Sequence, residues 1–192
     1  MPRVFPPNRL ILTLVLMGSA TVVAQSVAID ATRSTVTVKV FKAGLLSGFA
    51  HDHAIQAPIA SGSIDAQQRS VVLSFQTADL KLMDSEGSES DHREIQATMM
   101  GPKVLDANRF PIISFRSKQV QLAGAGHYEV DGDLSLHGVT RDVTIPVVLS
   151  NGLYRGEIKL KQTDFGIMPV KIAGGAVRVK DVIEVKFEIA TR

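Results

Sequence analysis

The sequence has 192 residues, of which 21 are Lys or Arg, 19 are Asp or Glu, and 45% are hydrophobic. It contains no cysteine, which excludes disulfide bonds, thiolate zinc sites and thiol nucleophiles. The fold must therefore be stabilised by an apolar core, and a chain of this length can bury one.

The N-terminal segment predicts export. Arg3 and Arg9 precede an apolar run of 15 residues from Leu10 to Ala24. A helix needs roughly 20 residues to cross a bilayer, and a shorter run ending in a small residue is typical of a signal peptide. We expect residues 1–24 to be a cleaved signal peptide and residues 25–192 to form one domain in the periplasm. An uncleaved membrane anchor is the alternative.

The charge balance of the expected mature chain argues against a polyanionic partner. Removal of residues 1–24 leaves 19 basic and 19 acidic side chains, so the net charge is zero. Nucleic-acid binding depends on a basic surface field, which this balance does not indicate. We expect no nucleic-acid partner and only transient contact with a membrane. The sequence leaves open whether the protein is a monomer or a homodimer.

Alternation of apolar and polar residues predicts an all-β fold. In residues 35–40, valines alternate with Thr and Lys, a period-2 pattern rich in β-branched side chains. Further along, His127–Leu136 and Val139–Leu149 lie on either side of a break that begins at His137-Gly138, which suits a hairpin. The predicted strands are 36–40, 71–77, 113–118, 127–136, 139–149, 154–162 and 177–189.

Two segments depart from period 2. Asp91–Met100 has apolar residues at helical spacing behind a capping box formed by Asp91 and Glu94, and the Gly-Pro pair that follows should end the helix. Lys42–Phe49 also places apolar residues on one helical face, although two glycines interrupt it, and is predicted to be a helical turn.

About eight consecutive strands with one or two short helices predict a single eight-stranded antiparallel barrel, with a sandwich as the alternative. Closure removes exposed strand edges, and eight strands leave an interior able to hold one small ligand. The inward positions carry branched aliphatic residues and Phe, which suit an apolar guest. The same side chains are also compatible with a solidly packed barrel.

The segment His51-Asp52-His53 is the clearest candidate for polar chemistry. Two imidazoles two residues apart share one face of an extended segment, a spacing that permits metal chelation. A zinc site needs three or four protein ligands, and no other ligand motif lies nearby in the sequence. We therefore expect no metal and no cofactor, and interpret the segment as a polar cap at the barrel mouth. His92 is expected to be solvated and His137 to be a turn residue.

The sequence predicts no catalytic site. It contains no G-x-S-x-G nucleophile elbow, and Gly174-Gly175 lacks both the spacing and the following helix of a phosphate loop. The acidic run Asp84–Asp91 is interpreted as a solvated loop before the predicted helix. We expect a protein that is not an enzyme.

Four segments carry a family resemblance when they are taken together. They are Arg93–Met99 with the following Val104–Asp106, then Phe110–Ser117, Gly132–Val143 and Thr163–Ile167. In these segments the chain resembles the YceI-like proteins, a family of periplasmic, lipocalin-like polyisoprenoid-binding proteins, and the resemblance covers residues 27–190.

The resemblance implies a lipocalin-like eight-stranded barrel with a hydrophobic tunnel for an isoprenoid chain and no catalytic residues. The segment His51-Asp52-His53 departs from the family pattern, so a quinone, a fatty acid or a haem-like molecule are alternative ligands. We expect inward apolar side chains to contact the lipid, with His51, His53 and Arg93 as polar groups at the mouth. The predicted ligand-binding residues are Val38, Val40, Phe49, His51, His53, Leu73, Phe75, Arg93, Ile95, Met99, Phe115, Leu134, Leu136 and Phe165.

Two other functions compete with lipid binding. One is a metal-binding or haem-binding redox accessory protein that uses the pair His51 and His53. The other is a structural or stress-related protein whose barrel is solidly packed and whose function lies on its surface.

Overall fold

The computed structural model describes residues 26–43, 52–172, 174 and 176–192, and these contain eleven strands and one α-helix. Two short 3₁₀ turns, Thr77–Asp79 and Gln162–Phe165, lie in the longer connections. The strands are β1 (Ser26–Ala43), β2 (His53–Gln56), β3 (Ser61–Asp65), β4 (Ser70–Gln76), β5 (Lys81–Leu82), β6 (Ile112–Gly124), β7 (His127–Leu136), β8 (Val139–Ser150), β9 (Leu153–Lys161), β10 (Lys171–Ile172) and β11 (Val177–Thr191), and the helix is α1 (Glu89–Met100).

Eight of these strands form a closed antiparallel barrel. The order around it is β1-β3-β4-β6-β7-β8-β9-β11, and β11 pairs back to β1 from Thr191 opposite Ile29 to Arg178 opposite Ala43. The other three strands extend the sheet, because β2 pairs with the second half of β1, β5 with β2, and β10 with β11. The structure confirms the predicted eight-stranded antiparallel barrel.

No helix within the described part of the chain is long and apolar enough to span a membrane.

Four strands, β2, β3, β5 and β10, were not predicted from the sequence. β5 and β10 have two residues each, too few for a period to be recognised, and β2 has four. β3 begins with Ser61-Gly62-Ser63, a sequence with low β propensity, and it forms because β1 and β4 pair with its two sides. The predicted helical turn at Lys42–Phe49 is wrong at its start, since Lys42 and Ala43 continue β1, and 44–49 lie outside the described residues.

Helix α1 forms where it was predicted but is capped differently. Ser88 is the N-cap: its hydroxyl accepts a hydrogen bond from the Asp91 N–H, and the Asp91 carboxylate accepts one from the Ser88 N–H. These hydrogen bonds lower the pKa of Asp91. The predicted pairing of Asp91 with Glu94 is wrong, because Ser88 lies three residues earlier and makes Asp91 the third helical residue of the box.

The two ends of the barrel differ in construction. We call the first the turn end, where β3–β4, β6–β7 and β8–β9 are joined by the short turns 66–69, 125–126 and 151–152. We call the second the helix end, where the long connections 77–111 and 162–176 cross between strands. The β7–β8 turn also lies at the helix end, and the positive φ angles of His137 (52°) and Gly138 (73°) fit a two-residue hairpin turn.

Apolar residues from the long connections are buried at the helix end. Phe165 is 2% exposed and Ile167 is 3% exposed, and both belong to one buried cluster with strand residues such as Val36 and Phe75. We call the residues of this cluster that belong to the long connections 77–111 and 162–176 the plug. The plug consists of Leu80, Met99, Leu105, Phe165 and Ile167.

The segments that carry the family resemblance meet around the plug. The Phe110 ring lies edge-on to the His137 ring, with centroids 4.6 Å apart, and it lies so close to Gly138 that a Cβ there would be 2.4 Å from it. His137 Nδ1 lies 3.2 Å from the Phe165 carbonyl oxygen. The Gln96 side chain joins α1 to the preceding segment, accepting from the Leu82 N–H and donating to the Leu80 carbonyl. Residues of these segments therefore form part of the helix end of the barrel.

Candidate functional site

The barrel encloses a cavity of about 430 Å³. All eight barrel strands contribute to its lining, which is almost entirely aliphatic and aromatic because strand residues alternate between the interior and the outer face. The polar residues in the lining are Asp65, Arg69, Ser70, Tyr128 and Tyr154. A space of this size and polarity has the properties of a small-molecule binding site.

Interior glycines help to keep the barrel hollow. A Cβ at Gly132 on β7 would lie 2.6 Å from Cζ of Phe115, and a Cβ at Gly156 on β9 would lie 2.4 Å from Cζ of Phe187. Each aromatic ring therefore occupies the space that a neighbouring side chain would otherwise take, and it lies against the wall of the barrel. Because each ring packs over a glycine in the wall, the centre of the barrel stays open.

The lining residues that are exposed all lie at the turn end of the described barrel. They are Ala66 and Arg69 in the β3–β4 turn and Leu122 near the end of β6, and Leu122 is 62% exposed. At the helix end the lining includes Leu80, which is 5% exposed and belongs to the plug. The cavity therefore opens at the turn end.

Two acid-base groups in the lining have definite local roles. Asp65 is 6% exposed, and its Oδ1 accepts hydrogen bonds from the N–H groups of Gln67 and Gln68 at 2.9 and 2.8 Å, which fixes the β3–β4 turn. Burial raises the pKa of Tyr154, and the charge of a neighbouring Tyr128 phenolate would raise it further. Tyr154 therefore stays neutral in the cavity at physiological pH.

The structure places the predicted site residues in several regions. Phe49 and His51 lie outside the described residues. Val40 packs against the buried core without lining the cavity, while Ile95 is half-buried on α1. Met99 and Phe165 are plug residues, so their burial is explained by packing. The predicted residues that line the cavity are Val38, Leu73, Phe75, Phe115, Leu134 and Leu136.

Of the three polar residues predicted at the mouth, His53 and Arg93 lie at the helix end of the barrel, and His51 lies outside the described residues. His53 on β2 is held away from the cavity lining, with its Nδ1 2.6 Å from Oδ2 of Asp84, whose other oxygen accepts from the Ala54 N–H. Arg93 lies on the exposed face of α1 and pairs with Glu89 at 3.5 Å. Their location could not be predicted, because local sequence spacing does not reveal which end of a barrel the long connections cover.

Only one member of the histidine pair, His53, lies within the described residues. Within this part of the chain, no group of three or more His, Cys, Asp or Glu side chains is arranged to hold a metal ion. His53 is engaged by Asp84, while Asp52 accepts a hydrogen bond from the Lys42 N–H. His92, which was expected to be solvated, is partly exposed, and its Nε2 lies 2.7 Å from the Glu86 carbonyl oxygen.

The predicted ligand-binding residues did not include the polar residues of the lining. Tyr128 lies on β7 an even number of residues before Leu134 and Leu136, so strand periodicity alone places it inside. Arg69 and Ser70 follow a polar turn, where periodicity gives no direction. Their proximity to the cavity became visible only with the pairing of β3 and β4.

Comparison with known proteins agrees with the fold and the family resemblance. The model of the YceI-like domain matches residues 27–191. Among solved structures, the barrel is similar to BcnA of Burkholderia cenocepacia, with a TM-score of 0.62, 21% sequence identity and coverage of 84% of this chain and 98% of that protein. It is also similar to a mutant CJ YCEI protein with a monobromobimane guest, with a TM-score of 0.52, 14% identity and coverage of 72% and 81%.

Curated relatives match over shorter segments. A UPF0312 protein of Vibrio cholerae is 30% identical over 95 residues, which is 44% of this chain and 50% of the relative. A UPF0312 protein of Yersinia pestis is 34% identical over 98 residues, which is 45% of this chain and 50% of the relative. In these matches the chain spans about half the length of the curated relatives.

Proposed function

Because the chain belongs to the YceI-like family, whose domain model matches residues 27–191, we propose that it is a non-enzymatic carrier that holds an apolar lipid inside its barrel. The family and the barrel fold are consistent with a binding protein. The observation that supports the lipid most strongly is the cavity itself, which has an apolar lining from all eight strands and, among the described residues, exposed lining residues at the turn end.

The energetics of an apolar guest support a carrier that exchanges its cargo. Covering about 400 Å² of apolar ligand surface at about 25 cal/mol/Å² supplies on the order of 10 kcal/mol. Association removes roughly 4–15 kcal/mol of this through lost freedom of motion. With the smallest of these costs, about 6 kcal/mol remains, which corresponds to a dissociation constant of tens of micromolar. At such an affinity a lipid can be taken up and released again.

The specific ligand that we propose is a polyisoprenoid, the class implied by the family resemblance. The almost entirely apolar lining of the cavity suits such a hydrocarbon chain. We further propose that the protein works in the periplasm after removal of residues 1–24, and that its membrane contacts are transient.

Copurification tests the proposed function in its broadest form. The protein would be isolated from a periplasmic fraction, and its bound small molecules identified by native mass spectrometry followed by lipid extraction. We expect an apolar lipid, with an isoprenoid as the specific result. A fatty acid in its place would overturn the isoprenoid proposal but leave the carrier.

Tyrosine fluorescence supplies the direct binding test. The chain has no Trp and two Tyr residues, and both Tyr128 and Tyr154 line the cavity. Farnesol added to delipidated protein should change the emission with saturation above tens of micromolar, and the variants Tyr128→Phe and Tyr154→Phe should each retain part of the change. Delipidated, folded protein whose emission responds to neither farnesol nor hexadecanol would overturn the proposal.

A further inference from the structure

We propose that Arg69, together with the hydroxyl groups of Ser70 and Tyr128, forms a headgroup site at the mouth that selects an apolar chain ending in an anionic group. The anion is a carboxylate or a phosphate, which share the oxygen geometry that a guanidinium recognises. This inference rests on the proposed lipid-binding function and names the class of headgroup that the cavity accepts.

Arg69 is the only cation among the lining residues of the described cavity. Some other basic side chains on the barrel are paired with acids: Lys118 pairs with Asp133 at 2.7 Å, and Arg155 pairs with Glu188 at 3.2 Å. Within the described part of the chain, by contrast, no hydrogen bond or ion pair involves the Arg69 side chain. An unpaired guanidinium at the mouth of an apolar cavity is available for a charged group of the ligand.

Two neutral donors lie in the same lining. Ser70 begins β4 directly after Arg69, and Tyr128 lies on β7 opposite Leu122, one of the exposed residues of the mouth. No hydrogen bond to either hydroxyl is present among the described residues. A guanidinium and two hydroxyl groups form a donor set suited to an oxyanion, because each contributes N–H or O–H groups.

Asp65 is the negative group that such an anion would meet. It lines the same end of the cavity, but it is 6% exposed and its Oδ1 is occupied by the N–H groups of Gln67 and Gln68. Its role is to hold the turn in which Arg69 adopts a positive φ of 51°. Arg69 is exposed whereas Asp65 is buried, so a headgroup in the wet mouth encounters the cation first.

The position of the site also matches the shape of an amphipathic lipid. The binding free energy of an apolar chain is most favourable when the chain lies inside the cavity. The desolvation cost of its charged end is smallest when that end stays hydrated. A mouth that carries the cation satisfies both conditions, since the headgroup remains in water while the chain fills the barrel. A cation deep in the cavity would instead require the ligand charge to be buried.

Matched ligands that differ only at the headgroup provide the test. Binding of hexadecanoate, hexadecanol and hexadecylamine, each below its micelle concentration, would be measured by isothermal titration calorimetry. Farnesyl phosphate and farnesol form a second pair, which separates a phosphate source from a carboxylate source. The variants are Arg69→Gln and, as the control, Arg141→Gln, an exposed arginine at the helix end.

We expect at least one anionic ligand to bind about five- to tenfold more tightly than its alcohol, as for one charge-assisted contact. Arg69→Gln should abolish this preference and leave the alcohols unchanged, while Arg141→Gln should retain it. Equal binding of acids and alcohols, tighter binding of the amine, or an unchanged preference in Arg69→Gln would overturn the headgroup site and leave the carrier function intact. Failure of every chain to bind the wild-type protein would instead overturn the carrier function.

Discussion

The two ends of this barrel are built from different kinds of chain. At the turn end, strands are joined by turns of two to four residues, and the lining includes exposed residues such as Arg69 and Leu122. At the helix end, the connections are long enough to carry α1 and two 3₁₀ turns, and they bury five apolar side chains in the plug. Short turns cannot fold over a barrel, so connection length decides which end is covered.

This difference separates stability from binding. Burial of a large apolar side chain contributes a substantial part of the stability of a domain, whereas exposed positions contribute little. We therefore expect substitutions in the plug to lower the free energy of unfolding, and substitutions at the mouth to change ligand affinity at nearly constant stability.

The largest expected effect is at Phe165, the most buried residue of the plug. Phe165→Ala should lower the free energy of unfolding by about 3–5 kcal/mol, because it removes the ring and leaves a cavity. Leu122→Ala at the mouth should change it by less than about 0.5 kcal/mol. Urea unfolding followed by circular dichroism measures both. If Leu122→Ala were as destabilising as Phe165→Ala, the two ends would not differ as described.

A smaller effect is expected between the ends, where Gly132 faces Phe115. A Cβ at Gly132 would also lie 2.5 Å from the Arg116 carbonyl oxygen, so Gly132→Val must displace the ring and strain the wall. We expect a loss of about 1–3 kcal/mol in stability and weaker binding, since the displaced ring enters the cavity. Calorimetric unfolding and farnesol titration measure the two effects.

The double variant Gly132→Val, Phe115→Leu separates these causes. It keeps the strain at the strand but replaces the displaced ring with a smaller side chain. Farnesol binding should therefore recover in the double variant while stability stays low. Binding that stays equally weak would show that wall distortion, not the ring, closes the cavity.

The smallest effects on ligand affinity are expected for the polar residues at the helix end. His53→Gln should lower the free energy of unfolding by about 1–3 kcal/mol, because the buried Asp84 carboxylate loses its imidazole partner and keeps the Ala54 N–H. Arg93→Gln breaks an exposed ion pair and should cost less than about 0.5 kcal/mol. Neither change should alter farnesol affinity, and a severalfold loss of affinity in either variant would restore these residues to the ligand site.

The strand pattern allowed much of the barrel to be predicted. Period-2 alternation identifies the inward face of a strand once its apolar residues are recognised, which is why Val38, Leu73 and Phe115 line the cavity as predicted. Helix α1 could be predicted from local sequence signals too, since its apolar spacing and the Gly-Pro pair that ends it lie within about a dozen residues. Only the capping residue differed, because Ser88 precedes the apolar pattern.

The position of the mouth could not be predicted in the same way. His53 and Asp84 are separated by 31 positions in the sequence, and their contact depends on the pairing of β2 with β5, a strand too short to be recognised. Met99 and Phe165 have the apolar character of lining residues, but their roles depend on how the long connections fold over one end. Long-range packing, which local spacing does not encode, decided these positions.

Occupancy of the barrel interior is the central claim, and a crystal structure with a brominated lipid tests it most directly. Delipidated protein would be crystallised with 9,10-dibromostearate, and the bromine atoms would be located by their anomalous scattering. The carrier account predicts bromine peaks inside the barrel, in van der Waals contact with Phe115 and Phe187. Peaks confined to the outer surface, around an interior without ligand density, would contradict it.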